Sequence, residues 1–177
     1  MSIITLPPVS TLPSSPEELQ IQVLDALFEP SPSIHAALLP ILKNHLFPSY
    51  PSLIDACHSQ LLTLAGPAAS EPTNALLSVL GSHPRLGAKK VDSAQSEAEQ
   101  RNLQGQGEEL GRLNEEYERV FPGLRFVVFV DGRGREEIMG DMRRRIDRGQ
   151  FELEVQEALK AMRDIAKDRA KKLGATE

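Results

Sequence analysis

The chain has 177 residues, 40% of them hydrophobic and 25% charged, enough for one domain with a real core and for two only if both were small. No apolar run approaches the ~20 residues that span a bilayer, which excludes a helical integral membrane protein. The lone Cys57 excludes an intrachain disulfide or a CxxC site, and a net charge of -5 speaks against a general nucleic-acid binder.

Residues 1–14 are rich in Pro and Ser and are expected to form an extended arm ahead of a single domain over 15–177. Ser15-Pro16-Glu17-Glu18 starts a helix, with Ser15 as cap, running to about Glu29 and burying Leu19, Val23, Leu27 and Phe28. Pro30 and Pro32 break it. A second helix starts at Ser33 and meets Pro40, which should end or kink it. Ser49-Tyr50-Pro51 opens a third, with Leu53, Ile54, Cys57, Leu61 and Leu64 inward, closed by Gly66-Pro67. A fourth runs from Pro72 to Leu80 and stops at Gly81. From Ser93 to about Phe121 a helical pattern recurs, with Leu110, Leu113, Tyr117 and Val120 on one stripe and a weak point at Gly105 and Gly107. Helices resume at about Glu136–Arg148 and Phe151–Leu173. Twelve of thirteen prolines lie at or before Pro84, whereas residues 83–177 carry nineteen acids and nineteen bases. Short, proline-punctuated helices should therefore give way to longer, charge-laced ones in an all-α bundle of about seven to nine helices.

Phe126 to Val130 breaks the pattern. Its β-branched and aromatic composition says strand, yet no partner strand of similar quality exists in the chain. Either it pairs across a dimer, or it is an extended or partly helical buried segment.

Few residues stand out as carriers of chemistry. His35, His45 and His58 lie in or at the ends of helices, without a second ligand at metal-binding spacing, and read as structural or surface groups. His83 precedes Pro84, which pushes it out of helical geometry into a turn; it is a capping or surface histidine, or a positioned acid–base group. Ser96-x-x-Glu99 is a capping box, or it places Glu99 in a first helical turn facing a pocket. On the last helix Val155, Leu159, Met162, Ala166, Arg169 and Leu173 share one stripe, apolar except for Arg169. A guanidinium there needs a carboxylate partner, a snorkelling route or a bound anion. Arg143-Arg144-Arg145 reads as a solvated, salt-bridged face. Gly132-Arg-Gly-Arg lacks the features of a phosphate loop, and no metal constellation is visible.

Together these pieces resemble the 2-oxo-4-hydroxy-4-carboxy-5-ureidoimidazoline (OHCU) decarboxylases. The resemblance rests on Leu27-Phe28-Glu29-x-Ser31-Pro32, His83-Pro84-Arg85-Leu86-Gly87, Ser96-x-x-Glu99-Gln100, Leu113-Asn114-x-x-Tyr117, Phe126-Val-Val and Ile165-Ala166-x-x-Arg169. It covers about residues 15 to 173. It implies an all-α, usually dimeric, cofactor-free carboxy-lyase of uric acid breakdown that converts OHCU to S-allantoin. By motif match the catalytic residues would be His83, Glu99 and Arg169. Substrate would be contacted by Pro84, by Ser96, Glu97, Ala98, Glu99 and Gln100, by the main chain of Phe126, Val127, Val128, Phe129 and Val130, and by Arg169. The sequence departs from the family pattern at Arg85, where Asp is usual, and has one residue more in Phe121-Pro-Gly-Leu-Arg-Phe126.

The all-α fold would also remove the strand from 126–130. A different class fits the same helices: a catalytically silent protein-interaction module. Convergence of His83, Glu99 and Arg169 in one pocket separates the two, because a scaffold has no reason to assemble them. The sequence calls for no metal, nucleic acid or membrane; a small-molecule substrate and a homodimer are the expected partners. The start lacks the basic region of a secretory signal, and Gly-Ala-Thr-Glu is no peroxisomal address, so the cytoplasm is the expected compartment, with carriage to the peroxisome by a partner left open.

Overall fold

The computed structural model describes residues 5–65, 73–87 and 107–175. Among them are a 3-10 helix (Val9–Ser14) and seven α-helices and no strand: α1 (Glu17–Leu27), α2 (Pro32–Asn44), α3 (Tyr50–Thr63), α4 (Asn74–Leu80), α5 (Gly107–Val120), α6 (Arg135–Arg148) and α7 (Phe151–Lys172). The all-α expectation holds. No helix among the described residues is long and apolar enough to cross a membrane.

Local chemistry explains most boundaries. Ser31, Ser49 and Thr73 each accept a hydrogen bond from the amide three residues on, capping α2, α3 and α4. Pro32 and Pro51 sit in the first turns, where no amide donor is needed. α6 ends on Gly149, whose φ of 62° is a left-handed cap that glycine adopts without strain.

Several local expectations differ from what is observed. Val9–Ser14, expected to be extended, winds into the 3-10 helix and buries Leu12. Ser15 does not cap α1: its hydroxyl donates to the Thr11 carbonyl, and Pro16 occupies the cap position. Leu19 is half-buried, and its neighbour Gln20 goes inside instead, donating to the Leu12 carbonyl at 2.8 Å. Pro40 does not end α2, which continues to Asn44; Pro40 and Ala36 are both exposed, so water can satisfy the carbonyl that loses its amide partner. The stripe of α5 holds at Leu110, Leu113 and Tyr117 but not at Val120, which is 39% exposed. Gly66-Pro67, Pro72 and the stretch from Ser93 to Gly105 lie outside the described residues.

α7 is the axis of the fold. It packs along α3 and against α1, while α2 bridges α1, α3 and α4, and α5 pairs with α6. Val155, Leu159, Met162 and Ala166 are buried as their spacing requires, Leu173 is half-buried at the C-cap, and Arg169 shares the stripe at 1% exposure.

Residues 124–130 link α5 to α6 without regular secondary structure and join no sheet. Phe126, Val127, Val128 and Val130 are nonetheless buried. Arginines replace the missing strand. Arg145 Nη1 donates to the Val127 carbonyl at 3.2 Å, and Arg133 donates to the carbonyls of Phe129 and Val130. Strand propensity misleads here because it reports fitness for a half-buried extended surface, whichever group supplies the hydrogen bonds.

Candidate active site

Pro30 pushes Glu29 out of helical geometry and so helps end α1 at Leu27. This turn directs the Phe28 carbonyl and the Glu29 side chain toward α7, and both meet Arg169. Nη1 of Arg169 donates to the Phe28 carbonyl at 2.6 Å, and Nη2 donates to Glu29 Oε1 at 2.8 Å. The Arg169 side chain is 1% exposed and that of Glu29 3%. Of the three ways to accommodate a guanidinium on that stripe, a carboxylate partner is the one present among the described residues.

His83 faces the same carboxylate. Its Nδ1 lies 3.9 Å from Glu29 Oε1, and the residue is 6% exposed. Burial first, and the neighbouring Arg169 charge second, push the His83 imidazole down to about 3, so it is neutral at physiological pH. Its buried Nε2 has no hydrogen-bond partner among the described residues. A neutral imidazole with one uncommitted nitrogen is equipped to accept a proton.

The loop that carries His83 is pinned on three sides. Arg125 donates to the His83 carbonyl at 3.1 Å, which ties the loop to the 124–130 segment. Asn114 on α5, 4% exposed, donates to the Leu86 carbonyl at 3.1 Å. Arg85, the departure from the family pattern, pairs through Nε with Glu118 of α5 at 2.6 Å. Gly87 completes the turn at φ 75°, and a Cβ there would lie 2.7 Å from the Leu110 side chain, so only glycine fits.

A second buried charge cluster stands behind residues 126–130. Glu154, in the first turn of α7 and fully buried, accepts from the Tyr117 hydroxyl at 2.5 Å, from Arg145 at 3.1 Å and from Arg148 at 3.0 Å. Glu157 also pairs with Arg145 at 2.9 Å. The Arg145 guanidinium sits 4.8 Å from the Phe126 ring centroid. Burial and the Glu154 charge push the Tyr117 phenol far up, so it stays a donor. Arg145 therefore departs from the solvated face expected of Arg143-Arg144-Arg145: Arg143 pairs with Glu116 and Arg144 with Asp141 nearer the surface, but Arg145 turns inward at 5% exposure. A charged cleft of about 500 Å³ opens beside Val128, Phe129, Arg133 and Arg145, and its lining includes neither His83 nor Arg169.

Of the candidate site residues, the structure brings His83 and Arg169 together through Glu29 and ties the segment before Phe126 to the same loop. Pro84 is half-buried beside His83. Ser96, Glu97, Ala98, Glu99 and Gln100 lie outside the described residues. Glu29 was not among the candidates. Its signal was present in two places: the unexplained cation on the apolar stripe of α7, and an acid fixed at a helix end by Pro30.

The solved structures include a crystal structure of (S)-allantoin synthase to which this chain is similar, with a TM-score of 0.62 and 20% identity; the match covers 94% of this chain and 54% of that one. The chain thus spans about half the length of that relative, and the likeness establishes the fold. No curated protein matches the chain. The OHCU decarboxylase profile matches residues 13–171, nearly the whole chain, and on that match, joined to the all-α fold, the chain belongs to the OHCU decarboxylase family of carboxy-lyases.

Proposed function

We propose that the chain decarboxylates OHCU to S-allantoin in uric acid breakdown, without a cofactor. The observation that carries this reading is the buried His83–Glu29–Arg169 cluster inside a member of the OHCU decarboxylase family. A protein-interaction module gains nothing from these groups. Apolar side chains of similar volume would hold the same core without the cost of desolvating charges.

The substrate name states the chemistry needed. One ring carbon bears both the hydroxyl and the carboxylate. When the bond to the carboxylate breaks, CO2 leaves and the electron pair forms a double bond to the carbon that bears the ureido group, while the C=N π pair of the imidazoline moves onto the ring nitrogen, which takes a proton. The hydroxyl then gives up its proton and becomes a carbonyl, and the ureido-bearing carbon gains a proton on one face. In this scheme neutral His83 accepts the hydroxyl proton at Nε2. Glu99 is the acidic partner in protonating the ring, and Arg169 is the residue that holds an oxygen of the substrate. Pro84, Ser96 to Gln100 and the Phe126 to Val130 main chain shape the pocket around the ring. The low dielectric of the buried cluster favours the step, because a localised carboxylate charge disperses as CO2 departs.

His83→Ala should lower the decarboxylation rate by at least ~100-fold while leaving the fold intact. Near-normal turnover in a stereospecific allantoin assay would remove His83 from the site. The proposed assembly is a homodimer burying on the order of 1,600 Å², as the family resemblance implies. The apolar 121–130 segment gives it no added support, since Phe121, Phe126 and Val127 are covered within the chain. A monomeric mass by light scattering at micromolar concentration would exclude it.

A further inference from the structure

Resting on that reading of the site, we infer that Glu29 is a positioning residue, which clamps Arg169 and holds His83 in the tautomer with its proton on Nδ1, leaving Nε2 to face the substrate. Three observations on different atoms converge on this. One oxygen, Glu29 Oε1, lies 2.8 Å from Arg169 Nη2 and 3.9 Å from His83 Nδ1. The backbone of the same turn supplies the second hold on the guanidinium, through the Phe28 carbonyl. The other imidazole nitrogen, Nε2, is buried and makes no hydrogen bond among the described residues.

An ionised carboxylate facing one ring nitrogen favours the proton there, and the opposite nitrogen then carries the lone pair. At 3.9 Å this acts through the field of the carboxylate, and the contact can shorten when substrate fills the site. Unscreened, such a carboxylate would also draw a second proton onto the ring. Arg169 prevents that. Its positive charge balances Glu29, so the carboxylate orients His83 without converting it to the imidazolium, which could not serve as a base. The roles divide accordingly, with Arg169 neutralising, Glu29 orienting and His83 transferring the proton.

The test is the tautomer of His83, read by long-range 1H–15N correlation on the full-length chain, with the His83 signals identified by their absence in His83→Asn. The ligand-free protein should show a protonated Nδ1 and an unprotonated Nε2. Glu29→Gln keeps the shape and removes the charge. It should shift the population toward protonated Nε2 and lower kcat roughly 10- to 100-fold, the usual loss when a supporting partner of a functional group goes. Glu29→Asp keeps the charge on a shorter arm and should recover part of both. Protonated Nε2 in the unaltered protein overturns the inference, and so does an unchanged tautomer in folded Glu29→Gln. If Glu29→Gln fails to fold, Glu29→Ala is the second charge-removing variant: an unchanged tautomer in folded Glu29→Ala overturns the inference, and so does protonated Nε2 in the unaltered protein. A wild-type protein that shows the Nδ1–H tautomer but does not decarboxylate OHCU refutes the proposed function and leaves the role of Glu29 standing.

Discussion

Arg169 and His83 show how burial turns two ordinary side chains into a coupled unit. A guanidinium at 1% exposure needs partners in a core, and among the described residues Glu29 and the Phe28 carbonyl accept from it. Arg169→Met leaves the Glu29 carboxylate buried without that charge and should cost about 3–5 kcal/mol of stability in a denaturant melt. Arg169→Lys keeps the charge but cannot span both acceptors as the planar fork does, and should lose less. Equal losses would mean that charge without the planar fork contributes nothing. His83 makes a pH prediction. Its folded-state affinity for protons lies below its unfolded value, so its contribution to stability is complete above pH ~6.5 and is lost as pH falls toward 3. Half-buried His58 is lowered too, by desolvation first and Arg163 second, so the comparison must be with a variant. Replacing His83 by Asn should flatten the stability–pH curve between about pH 6 and 4; an unchanged slope would show that His83 protonates freely in the folded chain.

At the scale of elements, the 124–130 segment replaces a strand partner with side chains. Arg145 alone bonds the Val127 carbonyl, stacks on Phe126 and joins Glu154 and Glu157. Arg145→Met should therefore destabilise by about 3–5 kcal/mol, because Glu154 stays fully buried with Arg148 as its remaining cation. The same substitution at neighbouring Arg143, whose pair with Glu116 lies at the surface, should barely move the melt. Similar losses at both positions would contradict the division between an inward and a solvated arginine. The triplet illustrates what the sequence makes legible. Helices announced by proline, serine caps and apolar spacing, such as α3 and α7, stand within a residue or two of their expected ends. Arg145 was not legible, because its inward turn depends on Glu154 and on the carbonyls of an unpaired segment, contacts made only once α6 and α7 dock. Glu29 was half-legible for the same reason: Arg169 announced that it needed a partner, but only the packing of α1 on α7 says which acid it is.

For the whole molecule, the two halves meet around the site. The proline-punctuated half supplies the Glu29 turn, the His83 loop lies where the halves join, and the charge-laced half supplies Arg169, the 124–130 segment, and Asn114, Glu118 and Arg125, which pin that loop. Neither half holds the cluster alone, so activity and global folding should be lost together in denaturant. Activity lost well before the fold would show that the site opens independently. The most direct measurement is the fate of freshly generated OHCU, with product handedness followed by circular dichroism. The intact chain should speed CO2 release and yield S-allantoin, and His83→Ala should be at least ~100-fold slower. Spontaneous-rate decay to racemic allantoin in the presence of folded protein would contradict the decarboxylase assignment.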